Sequence, residues 1–294
     1  MPVIHPNTLF HFTPTIKGLK GILSRGLRMS YCYEECTHDL GIALPMICFC
    51  DIPLLRTLNH RAIYGNYMVG LDKEYMINQC QPHLNPVNYL NSIFMRNLGD
   101  EFFKTLLDVI NHTYSNEIDR ILKEKGYLPL VNKYGFEKVL QADDDLNYKS
   151  NQISFAAARI RYSLAFSKEY SIKKDGKEII NYNEREWRYI INYWNDCDNT
   201  EVWIAPISLQ EFENKKIELN SMLWTKPESY IIIKPENIVK AIKFIVVKKE
   251  SQIPQIINHI RKSKKIFGTI GINEDQREIL ISRVLSFDVI EQNF

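Results

Sequence analysis

Tyr182-Asn183-Glu184-Arg185-Glu186-Trp187-Arg188-Tyr189 runs directly into Ile190-Ile191-Asn192-Tyr193-Trp194. Aromatic and β-branched residues dominate, so the stretch is expected to be a strand. Alternation would place Glu184, Glu186, Arg188 and Ile190 on one face, with Arg185, Trp187, Tyr189 and Ile191 on the other. Two carboxylates and a guanidinium would then project together from a rigid, apolar-backed element. A site that stabilises developing positive charge can be built this way. The same spacing also describes a solvent-facing stripe whose Glu–Arg neighbours form a surface ion pair worth little.

The rest of the chain sets bounds. Its 294 residues are 45% hydrophobic and 24% charged, an ordinary composition for a globular protein with a sizeable core. A net charge of +2 gives no global drive towards nucleic acid or acidic lipid. Met1-Pro2-Val3-Ile4-His5-Pro6 has neither a basic n-region nor a long apolar run, and no apolar run of about 18 residues occurs. No signal peptide or membrane span is therefore expected, and the six cysteines read as reduced cytoplasmic thiols.

Thr8–Thr13 reads as a short strand ended by Pro14, and Ile16, Leu19 and Leu23 follow at helical spacing with Gly26 as a cap. Residues 30 to 42 read as a loop, and Cys32, Cys36 and His38 within it match no common zinc spacing, so no metal is expected. Met46–Cys50 is apolar throughout, as in a strand buried on both faces, and Pro53 ends it. Helices are expected over Arg56–Ala62, over much of residues 88 to 126 and over Gln152–Phe166, with an acidic stretch at Asp143-Asp144-Asp145 between the last two. Asp175-Gly176 marks a hairpin turn. Ser229–Ile233, Ala241–Val247 and part of Ser282–Glu291 read as strands, and Ser251–Ser263 as an amphipathic helix. The lysines and arginines around residues 248 and 261–265 suit a solvated helix face; a nucleic-acid patch would want interleaved aromatics. No phosphate-binding GxxxxGK[ST] loop, GxGxxG, HExxH or GxSxG occurs.

Three segments together resemble the AbiGi family of bacterial abortive phage-infection proteins: Leu9–Thr13 with Leu19, Ile22, Leu23 and Gly26; Pro45–Leu54 with His60, Tyr64-Gly65, Tyr67 and Gly70-Leu71; and Tyr182–Tyr189. Lys234–Ile242 followed by Phe244–Val247 fits that family's closing strand, while about residues 90 to 175 fall outside the resemblance. Some members are described as antitoxins, so the family alone implies no enzymatic activity. More distantly, the opening His-Phe-Thr strand, helix and glycine look like the start of ADP-ribosyltransferase folds. That likeness implies that His11 holds an NAD ribose, Tyr64 or Tyr67 stacks on nicotinamide, and Glu186 stabilises an oxocarbenium-like state. Thr13 and Arg188 would complete the NAD-binding set, Arg188 keeping Glu186 ionised. Glu184 and Glu186 also resemble the Glu-X-Glu of arginine-modifying members, as the two candidate catalytic carboxylates, although Glu184 here falls within the expected strand and not in the loop that precedes it in those members.

The expectation is thus an α+β protein: an ADP-ribosyltransferase-like split, bent, mixed or antiparallel sheet with surrounding helices. It would be a single domain over residues 1–294 with a mainly helical insertion at about 88–170. The implied function is anti-phage abortive infection by NAD-dependent ADP-ribosyl transfer or NAD hydrolysis, with NAD as substrate and a protein or nucleic acid as acceptor. The alternative, from another class, is a non-catalytic antitoxin or phage sensor bound to a cognate toxin.

Overall fold

Gly41-Ile42-Ala43-Leu44-Pro45-Met46-Ile47-Cys48-Phe49-Cys50 is apolar at every position, and it folds as one ten-residue strand buried over almost its whole length. In the computed structural model, which describes residues 6–35, 41–91, 116, 118–144, 165–174, 177–191 and 204–293, this strand is β4. The strands in chain order are β1 (Thr8–Thr13), β2 (Leu27–Arg28), β3 (Ser30–Glu35), β4 (Gly41–Cys50), β5 (Tyr67–Asp72), β6 (Leu84–Pro86), β7 (Asn88–Leu90) and β8 (Ser167–Glu169), then β9 (Ser171–Lys174), β10 (Lys177–Ile180), β11 (Glu186–Tyr189), β12 (Ile204–Ile207), β13 (Tyr230–Ile231), β14 (Ile242–Val247) and β15 (Val284–Ser286).

The main sheet runs β15-β14-β5-β1-β4-β11-β6, and β3 and β12 also pair with β4. It is mixed, since β14 and β15 are parallel while the other ladders are antiparallel. β4 changes partners along its length. Cys50 is bridged to Phe10 of β1 and Glu186 of β11, whereas Ala43 is bridged to Tyr33 of β3 and Ile204 of β12. Only Phe10↔Cys50 joins β1 to β4, so these two central strands part after one bridge. The protein is therefore α+β with a mixed sheet.

Side chains alternate, so the two sheet faces acquire different contents. Leu9, Phe49, Val69, Leu71 and Ile245 enter the main core, which is covered by helices Ile16–Arg25, Lys73–Cys80 and Ile253–Lys262. Helix Ile16–Arg25 starts where the Thr15 side chain accepts the Gly18 N–H at 3.0 Å, buries Leu19, Ile22 and Leu23, and stops at Gly26 with φ 91°. A side chain at Gly26 would also strike the Ile231 carbonyl at 2.3 Å, so both backbone and space require glycine there. The other face holds Phe10, Cys50, Met68, Val246 and Phe287 in one apolar cluster and Ile42, Leu44, Met46, Ala165, Phe166 and Ile190 in a second.

Several sequence expectations are corrected. Within the expected loop over residues 30 to 42, the described residues 30–35 and 41–42 are strand: Ser30–Glu35 alternates Tyr31 inward and pairs over six residues with Gly41–Met46. Cys36 and His38 lie outside the described residues. The strand expected from Tyr182 begins at Glu186, because Asn181–Glu184 closes a 3-10 turn and Arg185 sits in the left-handed region at φ 43°. Only Tyr230–Ile231 of the expected Ser229–Ile233 strand pairs, and after Val284–Ser286 the chain turns helical over Phe287–Asn293. Lys174 pairs with Lys177, the register a hairpin requires, while Asp175 and Gly176 lie outside the described residues. In the insertion, helical Ile118, Ile121 and Leu122 pack with Val139, whereas Leu106 to Tyr114 lie outside the described residues. So do Gln152 to Leu164 of the second expected helix.

Gly70 gives a test of this packing. A Cβ there would meet the Phe10 and Phe244 rings at 2.8 and 2.9 Å and the Thr8 methyl at 3.0 Å. Gly70→Ala is expected to lower stability by about 1–3 kcal/mol. Thermal unfolding measures it, and an unchanged midpoint would contradict the register drawn between β5, β1 and β14.

Candidate functional site

Within β11 the expected alternation holds from Glu186 onward. Trp187 and Tyr189 pack against the main core, while Glu186 and Arg188 are buried on the opposite face beside Cys50 and Cys48, their register partners on β4. Arg188 is 1% exposed, so its guanidinium needs internal acceptors. Its Nε donates to Glu186 Oε1 at 2.9 Å, and one terminal nitrogen pairs with Glu34 Oε1 at 3.0 Å. The other terminal nitrogen donates to the Ala165 carbonyl.

Lys168 bridges the two carboxylates that the sequence singles out. Its Nζ lies 2.8 Å from Glu184 Oε2 and 3.1 Å from Glu186 Oε2. The Tyr64 hydroxyl donates to the other Glu184 oxygen, and the Glu186 backbone N–H donates to the Tyr89 hydroxyl at 2.7 Å. The parallel β7–β8 pair sets Tyr89 opposite Lys168, which fixes both on the same cluster. Tyr64 is braced in turn by the His60 ring, stacked nearly parallel at 6.3 Å, and by Phe12 at 6.2 Å.

The electrostatics follow from burial set against neighbouring charge. Burial alone would raise the Glu186 carboxyl, but Arg188 and Lys168 outweigh it and hold that group down to about 2. Burial dominates at Glu34 and raises its pKa despite Arg188. Lys168 is raised, since the attraction of Glu186 and Glu184 exceeds its own desolvation. Burial and the neighbouring Glu184 push the Tyr64 hydroxyl up. At neutral pH Glu186 is thus an anion held between two cations, with its oxygens already engaged.

The structure therefore unites Glu184, Glu186, Arg188 and Tyr64. His11, Thr13 and Tyr67 sit elsewhere. His11 points away from the Phe10 side of β1; its Nδ1 is 2.9 Å from the Cys48 carbonyl, its ring is 5.8 Å from Phe49, and burial lowers its pKa. Thr13 is the ladder partner of Tyr67 and lies against Gly18. Tyr67 is buried in the main core, its hydroxyl accepting from Gln252 Nε2 at 2.9 Å. Lys168, Glu34 and Tyr89 were not singled out by sequence. Only long-range pairing brings them in, and no local motif marks them. Among the described residues, no group of three or more His, Cys, Asp and Glu is placed to hold a metal ion, and no helix is long and apolar enough to cross a membrane.

Residues 29–248 match the family model described as "Putative abortive phage resistance protein AbiGi, antitoxin". This chain belongs to the AbiGi family. The abortive phage resistance protein AbiGi of Lactococcus lactis subsp. cremoris is 25% identical over 266 residues, covering 85% of this chain and 89% of that protein. No solved structure matches the chain. Every member of the charge cluster falls inside the span matched to AbiGi, whereas His11 and Thr13 precede it.

Two outcomes test the cluster. Arg188→Met removes a buried cation and leaves Glu186 and Glu34 facing each other, so urea unfolding is expected to show a loss of about 3–5 kcal/mol. The second concerns pH. The folded Glu186 pKa, about 2, lies below its unfolded value of 4.5, so its contribution is present above 4.5 and disappears as pH falls towards 2. That contribution is about 3 kcal/mol. Glu34, shifted upward, works in the opposite sense and offsets part of it near neutrality. Glu186→Gln should flatten the fall in unfolding free energy between pH 5 and 2; a profile identical to the parent's would remove Glu186 from the linkage.

Proposed function

We propose that this chain is the antitoxin-type binding component of an abortive-infection system, working by association with a cognate toxin. Two considerations support the reading. The family description names an antitoxin. The observation that carries it from geometry is the engagement of both oxygens of each buried carboxylate: Glu184 is held by Lys168 and Tyr64, and Glu186 by Lys168 and Arg188. A carboxylate fixed this way braces a scaffold well. A ribose hydroxyl would have to share an oxygen that already accepts from a cation or a phenol, on a residue only 7% exposed.

The rival reading, NAD-dependent ADP-ribosyl transfer or NAD hydrolysis, has one observation in its favour. Glu184 ends a turn and Glu186 opens the following strand, so the pair takes the turn-then-strand form that the Glu-X-Glu resemblance implies. Against it, His11, Thr13 and Tyr67 sit on the far side of β1 from the carboxylates.

The discriminating experiment pairs co-expression with calorimetry. Cells expressing the toxin encoded beside this gene are expected to recover growth when this chain is co-expressed, and Glu186→Gln is expected to keep that protection at temperatures where it stays folded. NAD titrated into the purified protein is expected to give no heat. Heat that is lost in His11→Ala, together with nicotinamide release that depends on Glu186, would move the conclusion to the enzyme.

A further inference from the structure

The basic residues near the end of the chain have a setting of their own, apart from the charge cluster. Helix Ile253–Lys262 ends at Ser263, and the chain then reverses so that Ile266 bridges to Thr269. Between them, Phe267 and Gly268 both take the left-handed region, at φ 50° and 84°. Phe267 is fully buried, and its N–H donates to the Leu23 carbonyl at 2.5 Å, while the Gly268 N–H donates to the Ser24 carbonyl at 3.1 Å. The Ile233 N–H donates to the Phe267 carbonyl at 3.4 Å. The reversal is thus pinned on one side to the end of helix Ile16–Arg25 and on the other to the chain just after β13.

That pinning gathers cations. Arg25 follows Ser24, Lys234 follows Ile233, and Lys262, Lys264 and Lys265 lead into Ile266. All five are exposed, and among the described residues none of them has a side-chain hydrogen bond or an ion pair, whereas the adjacent Arg261 is paired with Glu278. Arg25 and Lys262 stand in the last turns of their helices, where a cation is favoured locally. Lys234, Lys264 and Lys265 have no such reason. Two large apolar side chains stand among the cations: Ile270 is 64% exposed, and Ile232, 46% exposed, lies against Gly268, where a Cβ would meet it at 2.9 Å. Gly271 turns the chain at φ 85° with nothing within 4 Å of its Cβ position, so the Ile270 end of the reversal is open to solvent. Acidic residues border the patch on the side of helix Glu274–Ile281, where Glu274 and Asp275 begin the helix and Gln276 Nε2 donates to the Pro235 carbonyl next to Glu236.

We infer that this patch is a peripheral binding surface for an anionic lipid bilayer, with Ile232 and Ile270 entering the headgroup boundary and the surrounding cations resting on acidic headgroups. The composition of the patch selects that occupant. Four of the five cations are lysines, a residue depleted at protein–protein interfaces, which favour arginine and aromatic rings. Single-stranded nucleic acid stacks its bases on exposed aromatics, and the two exposed apolar side chains here are aliphatic. A duplex is held by cations on its phosphates and leaves both isoleucines without a role. A second copy docked patch to patch would set like charges against each other. A bilayer uses both components, since aliphatic side chains bury at the acyl boundary while lysines reach the anionic surface. The chain's net charge of +2 conceals this local excess. Because the reversal is pinned from both sides, Ile270 is held outward before contact and little order has to be created on binding. The inference goes beyond the antitoxin reading and does not depend on it.

The test sediments the full-length protein with vesicles of phosphatidylcholine containing about one-third phosphatidylserine, and with vesicles of phosphatidylcholine alone. A labelled duplex of about 20 base pairs and a labelled polyglutamate peptide, both read by anisotropy, are the comparators. Partitioning onto the acidic vesicles alone is expected at low salt, fading as salt is raised. Lys264→Gln/Lys265→Gln should weaken it about tenfold and Ile270→Ser about threefold, in variants whose fold is checked by circular dichroism. Amide exchange over residues 264–271 of the parent protein should slow on the acidic vesicles, a readout that needs no variant. No partitioning, equal partitioning onto neutral vesicles, tighter binding of the duplex or of polyglutamate, or full vesicle binding by Ile270→Ser each overturns the inference. Growth protection is scored separately and bears on the antitoxin reading alone.

Discussion

A guanidinium buried at 1% exposure governs the arrangement around it. Removing such a group from water is costly unless good acceptors surround it. Arg188 has three: Glu186 on its own strand, Glu34 from β3, and the Ala165 carbonyl just before β8. These come from three segments remote in sequence, so satisfying one cation fixes the relative placement of β3, β8 and β11. The residues opposite Arg188 and Glu186 on β4 are Cys48 and Cys50. Small side chains there leave room for the guanidinium to reach across to Glu34, which gives both cysteines a packing reason and needs no reactive one.

That constraint shapes the sheet face. Along β4 the even positions are apolar from Ile42 to Met46, and the ionic band begins at Cys48, with the Phe10–Met68–Phe287 cluster beyond it. The band thus sits between two apolar clusters, in a low-dielectric setting where each ion pair is worth more than at the surface but an unpaired member would be worth less than nothing. Network completeness matters more than any single bond, and Lys168, shared by two carboxylates, is what completes it.

How much of this was legible in the sequence follows from which forces act locally. The burial of Met46–Cys50 in β4, the alternation from Glu186 to Ile190 and the Lys174–Lys177 hairpin register were readable, because strand period and turn chemistry are properties of neighbours along the chain. The turn at Asn181–Glu184 was read as strand, since its aromatic and glutamate residues carry no glycine signal. What holds it is tertiary: Lys168 and Tyr64 on Glu184, and the Glu169 carbonyl on Asn181. Glu34 and Lys168 were invisible for the same reason. Each is an ordinary charged residue until a strand pairing brings it to Arg188 or Glu186. His11 and Tyr64 end on opposite faces because Tyr64, at the end of helix Thr57–Tyr64, packs on Phe12, the neighbour of His11 that alternates to the other side of β1, and which side each takes depends on a ladder that local sequence does not specify.

The cluster and the hairpin are parts of one arrangement. Glu184 and Lys168 do not project into solvent to meet a ligand; they close the base of the excursion that carries Tyr170, Ile172, Ile180 and Tyr182 outward. A two-stranded ribbon with exposed aliphatic side chains is ordinarily a liability, since its free edge invites pairing with any strand. The strongest internal charges of the protein thus make most physical sense as the mounting of that ribbon, fixing where it leaves the charge cluster and where it rejoins it.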